Sequence, residues 1–541
     1  MQTGSTEDHR PAQLRIRSND WSILAPAKLG QWAPALSVSV VIPAFNSATL
    51  PYCLASLASQ SYPESLLEVV IADDRSSPPL ELPPIRPANT RITVVTDSWG
   101  RANACKQAAE SANGDVIFWL DSDMLLHHDH VEAQLRWHHL IDYAVVLGHK
   151  TFIDALAALP DIDTVRRQLD NRAEAAMFTD RWSAPHEWVE TLCRRTDELR
   201  SAGERAYLAH VGATASVGRG LYLDCGGIDA SLKLGEDIEL GYRLSQAGGV
   251  FIPDRQAKSW HLGRSTVMEH KRAVNRYNEP FLADRVSQLR RLRQSSFRTY
   301  AVPYVQVVID TRGRDLEDVK ATVDAVLASS MKDVKCLLLG DWKTLDDERV
   351  SPLEDVDREA RLIDATYRSE PRVDLVHDVS PSAYPSAFRA TLPVGWCLGP
   401  DALSRLTAAM NKSGHGLRSV LMPDGSVARI ERTSAVMRME RLRQPGEDID
   451  DVIDEVAGTW WSDGLEEDFR SAGDAATAMP KNRPPRAQVP DFPPDHPAGE
   501  TAPGNEPQGR SPSAWWRWVG VERRSGAERR TSIDRRHHRG P

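Results

Sequence analysis

The 541-residue chain is short of cysteine and has no long apolar run. Its six thiols, at 53, 105, 193, 225, 336 and 397, lie far apart and form no C-x-x-C pair. That excludes a zinc knuckle and a disulfide framework, and leaves reduced, buried thiols of a cytoplasmic protein as the expectation. No segment approaches the roughly 18 uncharged apolar residues of a membrane helix. The opening MQTGSTEDHRPAQLR lacks the basic-then-apolar order of a secretory signal, so secretion is not expected. Wholesale disorder is excluded too, because 41% of residues are apolar and 26% charged. At roughly 150 residues per domain, the length suits two to four domains.

The net charge of −10 is unevenly spread. Ser511–Pro541 carries eight Arg and three acidic residues, a tail of +5, so the rest of the chain stands at −15. Ten of the 35 prolines fall between Pro480 and Pro512, where aliphatic residues are sparse. This predicts an extended, disordered linker over 471–514, followed by a Trp/Arg-rich tail over 515–541 that opens with Trp515, Trp516 and Trp518.

Ahead of that linker, apolar runs punctuate the sequence at strand length. Ser37–Ile42 (SVSVVI), Leu67–Ala72 (LEVVIA) and Asp115–Leu120 (DVIFWL) read as strands covered on both faces, as in a parallel sheet. Helical stretches separate them, Thr49–Gln60 and Arg101–Ala112, with further strands at Ile92–Thr96 and Ala144–Leu147. The alternation is a βαβ series, and 154–210 follows as a charged, Ala-rich helical insert. The pattern then restarts: Val305–Ile309 (VQVVI) echoes Val38–Ile42, and Val307 precedes Asp341 by 34 residues, as Val40 precedes Asp74. We read two related domains in tandem, 37–270 and 303–470, with an N-terminal arm over 1–36 and a basic linker helix over 271–302.

Asp121-Ser-Asp123 directly follows the strand DVIFWL, at the carboxyl end of a strand, where open α/β sheets place ligands. Two carboxylates at this spacing can hold a divalent metal that neutralises a nucleotide diphosphate. About 11 such pairs are expected by chance at this acidic content, so the motif has meaning only in context. A solvated turn is the plain alternative.

Context comes from order and spacing. VSVVIPAFN (38–46), VVIADDRSS (69–77), GDVIFWLDSDM (114–124), GGIDASLKLGEDIELGYRL (226–244) and SWHLG (259–263) together resemble family-two, inverting glycosyltransferases. The resemblance covers about Ser37 to Gly263. It implies the α/β, GT-A-like nucleotide-diphospho-sugar transferase fold, a mixed and mostly parallel sheet. It also implies a nucleotide-sugar donor with UDP as the expected nucleotide, hexosyl or N-acetylhexosaminyl transfer, and Mn²⁺ or Mg²⁺ as cofactor.

By the same resemblance Pro43, Ala44 and Phe45 line the nucleotide pocket, and Asp74, beside Asp73, binds base or ribose. Asp121 faces the nucleotide sugar, Asp123 ligates the metal, and His261 is a third ligand; neutral imidazole suits Mn²⁺ better than Ca²⁺. Asp237 is the catalytic base and Glu236 orients the acceptor. Acidic residues also favour a helix's first turn for its unpaired N–H groups, so capping is the competing explanation there. His127, His128 and His130 compete as ligands but are expected to face solvent. One departure stands out: the Arg-Asn pair of the related helix falls here on Cys105 and Lys106, with Arg101 as well placed as Lys106 to meet a phosphate.

The second repeat keeps Asp341 at the position of Asp74 but has Pro393-Val394-Gly395 where the first has Asp121-Ser122-Asp123. It is expected to be degenerate, with Gly446-Glu-Asp-Ile449 a solvated helix start. The acceptor, whether glycan, lipid-linked or small molecule, is not legible. The tail offers a peripheral membrane or partner-protein contact, and no nucleic-acid partner is expected. A pseudo-transferase scaffold in a glycan assembly complex is the rival reading. A nucleotidyltransferase would want a basic phosphate loop, which SVVIPAFN lacks.

Overall fold

A computed structural model describes residues 13–156, 159–294, 298–345 and 351–474. The first sheet is built from β1 (Val38–Ala44), β2 (Leu67–Asp73), β3 (Thr90–Val94), β4 (Val116–Leu120), β5 (Met124–Leu126), β6 (Ala144–Ile153), β7 (Ser183–Pro185), β8 (Thr214–Gly218) and β9 (Val250–Leu262). Its helices are α1 (Leu50–Ala58), α2 (Arg101–Ser111), α3 (His130–His138), α4 (Ile162–Asp170), α5 (Glu187–Arg195), α6 (Arg219–Asp224), α7 (Glu236–Gln246) and α8 (Thr266–Arg285). The strand order is β3-β2-β1-β4-β8-β6-β9-β5, with β7 pairing off β6. Every residue of β2 and β4 is buried, which is why both read as unbroken apolar runs, whereas β3 lies at the sheet edge and is half-exposed. The sheet is mixed: β1 runs parallel to β2 and β4, and β8 is antiparallel to both β4 and β6.

β6 and β9 run parallel, with a register shift that moves the partner of His149 to Lys258 after Gly148 has paired with Asp254. Irregularities of this kind bend a strand and re-aim its side chains. Beyond it, Lys150 pairs with Ser259 and Phe152 with His261, so all four face one side of the sheet.

A second, seven-stranded sheet follows, of β10 (Val305–Asp310), β11 (Val334–Leu339), β12 (Val373–Val376), β13 (Phe388–Thr391), β15 (Leu417–Leu421), β16 (Val427–Arg432) and β17 (Thr459–Asp463), with β14 (Trp396–Leu398) and β18 (Phe469–Ser471) forming a separate two-stranded sheet. Helices α9 (Leu316–Ala328), α10 (Arg358–Tyr367), α11 (Ala402–Ser413), α12 (Thr433–Leu442) and α13 (Ile449–Ala457) accompany it. The order β12-β11-β10-β13-β16-β15-β17 matches β3-β2-β1-β4-β8-β6-β9 position for position, with the same strand directions. The short β14–β18 pair stands where β5–β9 stands in the first sheet.

Three details differ from the boundaries read in the sequence. The joining helix α8 begins at Thr266 and stops at Arg285. The last strand runs to Ser471. The described part of the N-terminal arm is packed between the two sheets: Ile16 is fully buried, Asn19 bonds the carbonyl of Phe251, and the Ser18 N–H donates to Val456 O at 2.7 Å. Arg438 on α12, itself buried, donates to the carbonyls of Ile16, Ser18, Gly248 and Gly249. The proline-rich linker beyond Asp474 and the Trp/Arg tail lie outside the described residues. Among the described residues, no helix is long and apolar enough to cross a membrane.

Candidate active site

The carboxyl ends of β1, β2 and β4 converge. At β2, the Asp74 N–H donates to the Ala44 carbonyl at 2.9 Å, seating Asp74 beside the Pro43-Ala44-Phe45 end of β1. One carboxylate oxygen of Asp74 accepts from the Gly100 N–H at 2.8 Å, and the other is buried without a partner, free to take a ligand's N–H or O–H. Asp73, by contrast, is spent on the turn, accepting from the Ser76 and Leu80 N–H groups. Pro43 is half-buried and Ala44 buried, while Phe45 stands 61% exposed at the rim.

Asp121 and Asp123 lie in the turn between β4 and β5, and β5 pairs Met124 with His261 of β9. The pairing carries His261 Nε2 to 3.6 Å from Asp123 Oδ2. The Nδ1 of His261 lies 3.2 Å from Gly263 O, so an N–H there leaves Nε2 as the lone-pair nitrogen. Asp121, Asp123 and His261 each present a ligand atom within 4.8 Å of the others. Asp123 Oδ1 is buried and unpartnered, and burial, with the Asp121 carboxylate alongside, pushes this carboxyl up. Two hard oxygens, one borderline nitrogen and an orphaned buried oxygen fit a divalent cation.

Facing them, Gly235 turns the chain at φ +84° into α7, whose first residues are Glu236 and Asp237. Arg101, the first residue of α2, reaches across and binds three carboxylates: Asp121 Oδ1 at 2.8 Å, Glu236 Oε1 at 2.8 Å and Asp237 Oδ1 at 2.9 Å. Burial raises Asp237, but the Arg101 guanidinium, helped by the Gly212 N–H, outweighs it, and the carboxyl settles below its ordinary range. Glu236 goes the other way: burial and the neighbouring Asp237 hold it up against Arg101. Adjacent carboxyls pushed apart in this way divide into one that stays ionised and one that readily keeps a proton.

Reading the sequence alone missed two of the groups around Asp237. His210 is buried, with Nδ1 2.8 Å from the Asp237 carbonyl, and desolvation keeps its ring neutral. Lys150 is buried beside the cluster, and desolvation brings its ammonium down to about 8 against the attraction of Asp121 and Asp237. A lysine in the mostly apolar strand AVVLGHKTFI was the available signal. For Arg101 the signal was a cation in a helix's first turn, where the dipole disfavours it unless anions stand opposite. Of the two cations weighed in the sequence, Arg101 turns into the acidic cluster, whereas Lys106 pairs outward with Glu110, and Cys105 is in the core.

The histidine cluster after the acid pair corrects an expectation. His130 is fully buried rather than solvated, its ring held by Lys258 O at 2.7 Å and Thr214 Oγ1 at 2.6 Å, and burial lowers it to about 3. His127 is largely enclosed, tilted against Trp260 at 4.1 Å between ring centroids and 3.5 Å from Glu174. For His130 the reason is that all nine residues of α3 are buried.

Strand register makes the two sheets comparable residue by residue. Val38 and Val305 occupy equivalent places, which sets Asp341 at the position of Asp74. The β13 register puts Pro393 and Gly395 at the positions of Asp121 and Asp123, and the β14–β18 pair puts Ser471 at that of His261. At α13, Asp448 accepts from the Asp450 and Asp451 N–H groups and Glu447 pairs with Arg15, so these acids serve the helix end and the N-terminal segment.

A mostly parallel sheet with paired acids at one strand's end, a histidine brought beside them and an acidic helix start opposite defines an α/β fold of the GT-A class. The family model "Glycosyl transferase family 2" matches residues 39–158. An N-acetylglucosaminyltransferase of Bradyrhizobium sp. (strain ANU 289) is 38% identical over 105 residues, 18% of this chain and 68% of that protein. The uncharacterized glycosyltransferase YfnE of Bacillus subtilis (strain 168) is 26% identical over 285 residues, 48% of this chain and 72% of that one. Among solved structures, the mannosyltransferase PcManGT from Pyrobaculum calidifontis, in complex with GDP-Man and Mn²⁺, aligns over 53% of this chain and 69% of that chain. Its identity is 17% and its TM-score 0.31. Across its curated relatives the chain spans from 39% to 72% of their length, about half (53%) in one case. The chain belongs to glycosyl transferase family 2.

Proposed function

We propose that this protein transfers a sugar from a nucleotide diphosphate donor to an acceptor hydroxyl in a single, inverting displacement. The observation that carries the reading is the meeting of three acidic sets at one end of the first sheet: Asp74, the Asp121–Asp123–His261 group, and Glu236–Asp237. Asp74 takes the base or ribose on its free oxygen, at the rim formed by Pro43, Ala44 and Phe45. Asp121, Asp123 and His261 hold a divalent cation, which when bound offsets the charge of the diphosphate. The nitrogen ligand favours Mn²⁺ over Mg²⁺.

Asp237, kept ionised, accepts the acceptor's hydroxyl proton as that oxygen forms a bond to the sugar's C1. The C1–O bond to phosphate breaks, and the nucleoside diphosphate leaves with the electron pair. Glu236, more readily protonated, orients the acceptor hydroxyl. UDP is the nucleotide we favour, with hexosyl or N-acetylhexosaminyl transfer; the N-acetylglucosaminyltransferase named above supports the N-acetylhexosaminyl alternative. The second sheet, with Pro393, Gly395 and Ser471 in place of the ligand set, we read as a degenerate copy that supports the first.

The test is a thermal-shift series with nucleoside diphosphates, nucleotide sugars and Mn²⁺, on wild type, Asp123→Ala and Asp237→Asn. Asp237→Asn is expected to bind nucleotide and Mn²⁺ nearly as wild type while transfer falls by about four orders of magnitude, the scale on which catalytic acid–base groups act at their upper limit. Retained turnover removes Asp237 as the base. Stabilisation by none of these ligands in wild type favours the scaffold reading instead.

A further inference from the structure

Lys150 is a cation at the acidic cluster that the proposed chemistry leaves unused. Only 6% of it is exposed, yet among the described residues its ammonium makes no hydrogen bond and no ion pair. A buried ammonium in that state is costly unless a ligand completes its surroundings. Strand pairing fixes where it stands. Lys150 pairs with Ser259 and Phe152 with His261, all on one side of the sheet. The ammonium lies 5.9 Å from the centre of the Phe152 ring, and the His261 ring lies 4.8 Å from that same centre. The carboxylates whose attraction it feels are Asp121, Asp237 and Asp123. Arg101 already answers the first two with ion pairs at 2.8 and 2.9 Å, so Lys150 is not needed to neutralise them.

We infer that the Lys150 ammonium binds the sugar-bearing phosphate of the donor and steadies its departing oxygen, an inference resting on the sugar-transfer reading above. Charge selects an anion. With a divalent cation on Asp121, Asp123 and His261, the three carboxylates are offset by that ion and by Arg101, and the ammonium is left as the surplus positive charge. Place selects the phosphate. The ammonium shares the Phe152 ring with His261, on the side of the cation corner, which is the leaving-group side of a displacement based on Asp237. A compact ammonium with three N–H donors meets a phosphate oxygen as a point charge. As the C1–O bond breaks, its electron pair settles on that oxygen, and Lys150 hydrogen-bonds it while keeping its own proton.

The test uses the full chain as wild type and as Lys150→Met, whose side chain fills similar space without charge. Calorimetry in Mn²⁺ measures UDP, UMP, GDP and GMP. Mn²⁺ alone is titrated by thermal shift, and the ligand-free Tm is recorded on the same samples. Wild type should bind the diphosphate of one nucleoside more tightly than its monophosphate. Lys150→Met should weaken that diphosphate at least about tenfold, the worth of a charged hydrogen bond, and leave the monophosphate within about twofold. The ligand-free Tm should hold, because the variant loses an unpartnered buried charge. Mn²⁺ alone should bind at least as tightly, since a like charge has gone from beside its ligands. Diphosphate binding within about twofold of wild type, equal weakening of monophosphate and diphosphate, or loss of Mn²⁺ affinity overturns the inference. A ligand-free Tm lowered by more than about 3 °C also overturns it, by making Lys150 a structural group. A wild type that binds neither UDP nor GDP refutes sugar transfer itself, which is a different failure from losing only the phosphate contact.

Discussion

Arg101 is the group whose removal tests the site most severely. Its guanidinium is a quarter exposed and binds Asp121, Glu236 and Asp237, of which Glu236 is only 7% exposed. A unit-charge pair at 4 Å is worth about 4 kcal/mol at the effective dielectric of such sites. Breaking a buried pair by deleting one partner costs about 3–5 kcal/mol because the other charge is stranded. Arg101→Ala strands three carboxylates at once, but partial exposure and proton uptake by Glu236 soften the loss. We expect about 3 kcal/mol, read as a fall of roughly 5 °C in Tm for a chain of this size. The pH dependence has a definite sign. The depressed Asp237 contributes stability that is present above the unfolded carboxylate value and lost as pH falls through its lower folded value. The raised Glu236 costs stability above its folded value, and that cost grows without Arg101. Wild type and variant should therefore differ most near neutrality, and the gap should narrow only as pH falls below the ordinary carboxylate range and through the depressed Asp237 value. Transfer should fall by about 10²–10³-fold, as when a preorganised donor is removed from a reacting centre. Mn²⁺ should stabilise the variant at least as strongly as wild type, since the cluster has lost its own counter-charge. Paired unfolding scans at pH 3.5 and 7.5, with and without Mn²⁺, decide the matter. A variant with unchanged Tm at pH 7.5 and activity within threefold would refute the role assigned to this guanidinium.

Three other perturbations have outcomes set by the same geometry. Asp74→Ala removes a free acceptor and the Gly100 contact, and calorimetry should show nucleoside diphosphate binding about 10–100-fold weaker, the worth of one or two charged hydrogen bonds; unchanged affinity would place the nucleotide elsewhere. His261→Ala should weaken Mn²⁺ at least tenfold in a metal titration followed by thermal shift while leaving metal-free Tm nearly constant, and equal Mn²⁺ affinity would remove it as a ligand. Gly241→Ala puts a Cβ 2.7 Å from His210 Cβ and 3.0 Å from Tyr207 O, so denaturant unfolding should show a loss of about 1–3 kcal/mol. A neutral result there would mean that α7 and His210 can slide apart.

The strand ends were legible because burial on both faces leaves an apolar run, and an acid directly after such a run stands out. That is how Asp74, Asp121 and Asp123 could be placed, and the matched spacing likewise led to the second sheet, whose register equates Asp341 with Asp74. Arg101 and His210 could not be assigned the same way, because their roles arise where α2, α7 and the chain before β8 meet, and no local pattern encodes that meeting. His130 was misread for a related reason: in a helix buried all round, polar side chains bond inward, and periodicity no longer separates core from surface. The N-terminal segment was similarly opaque, since its anchors Ile16 and Asn19 stand among Arg15, Arg17, Ser18 and Asp20 and give no period to detect.

The path of that segment bears on how the molecule can be divided. Residues 13–36 touch both sheets, and one arginine of α12 closes carbonyls from the first residues and from the turn before β9. A fragment cut at residue 303 would lose α12 and leave the Ile16 socket half-built. A fragment starting at residue 303 would want its first segment supplied in trans. Chimaeras that exchange the second sheet between relatives would thus have to exchange the opening residues along with it, and grafting at the obvious repeat boundary should give insoluble halves.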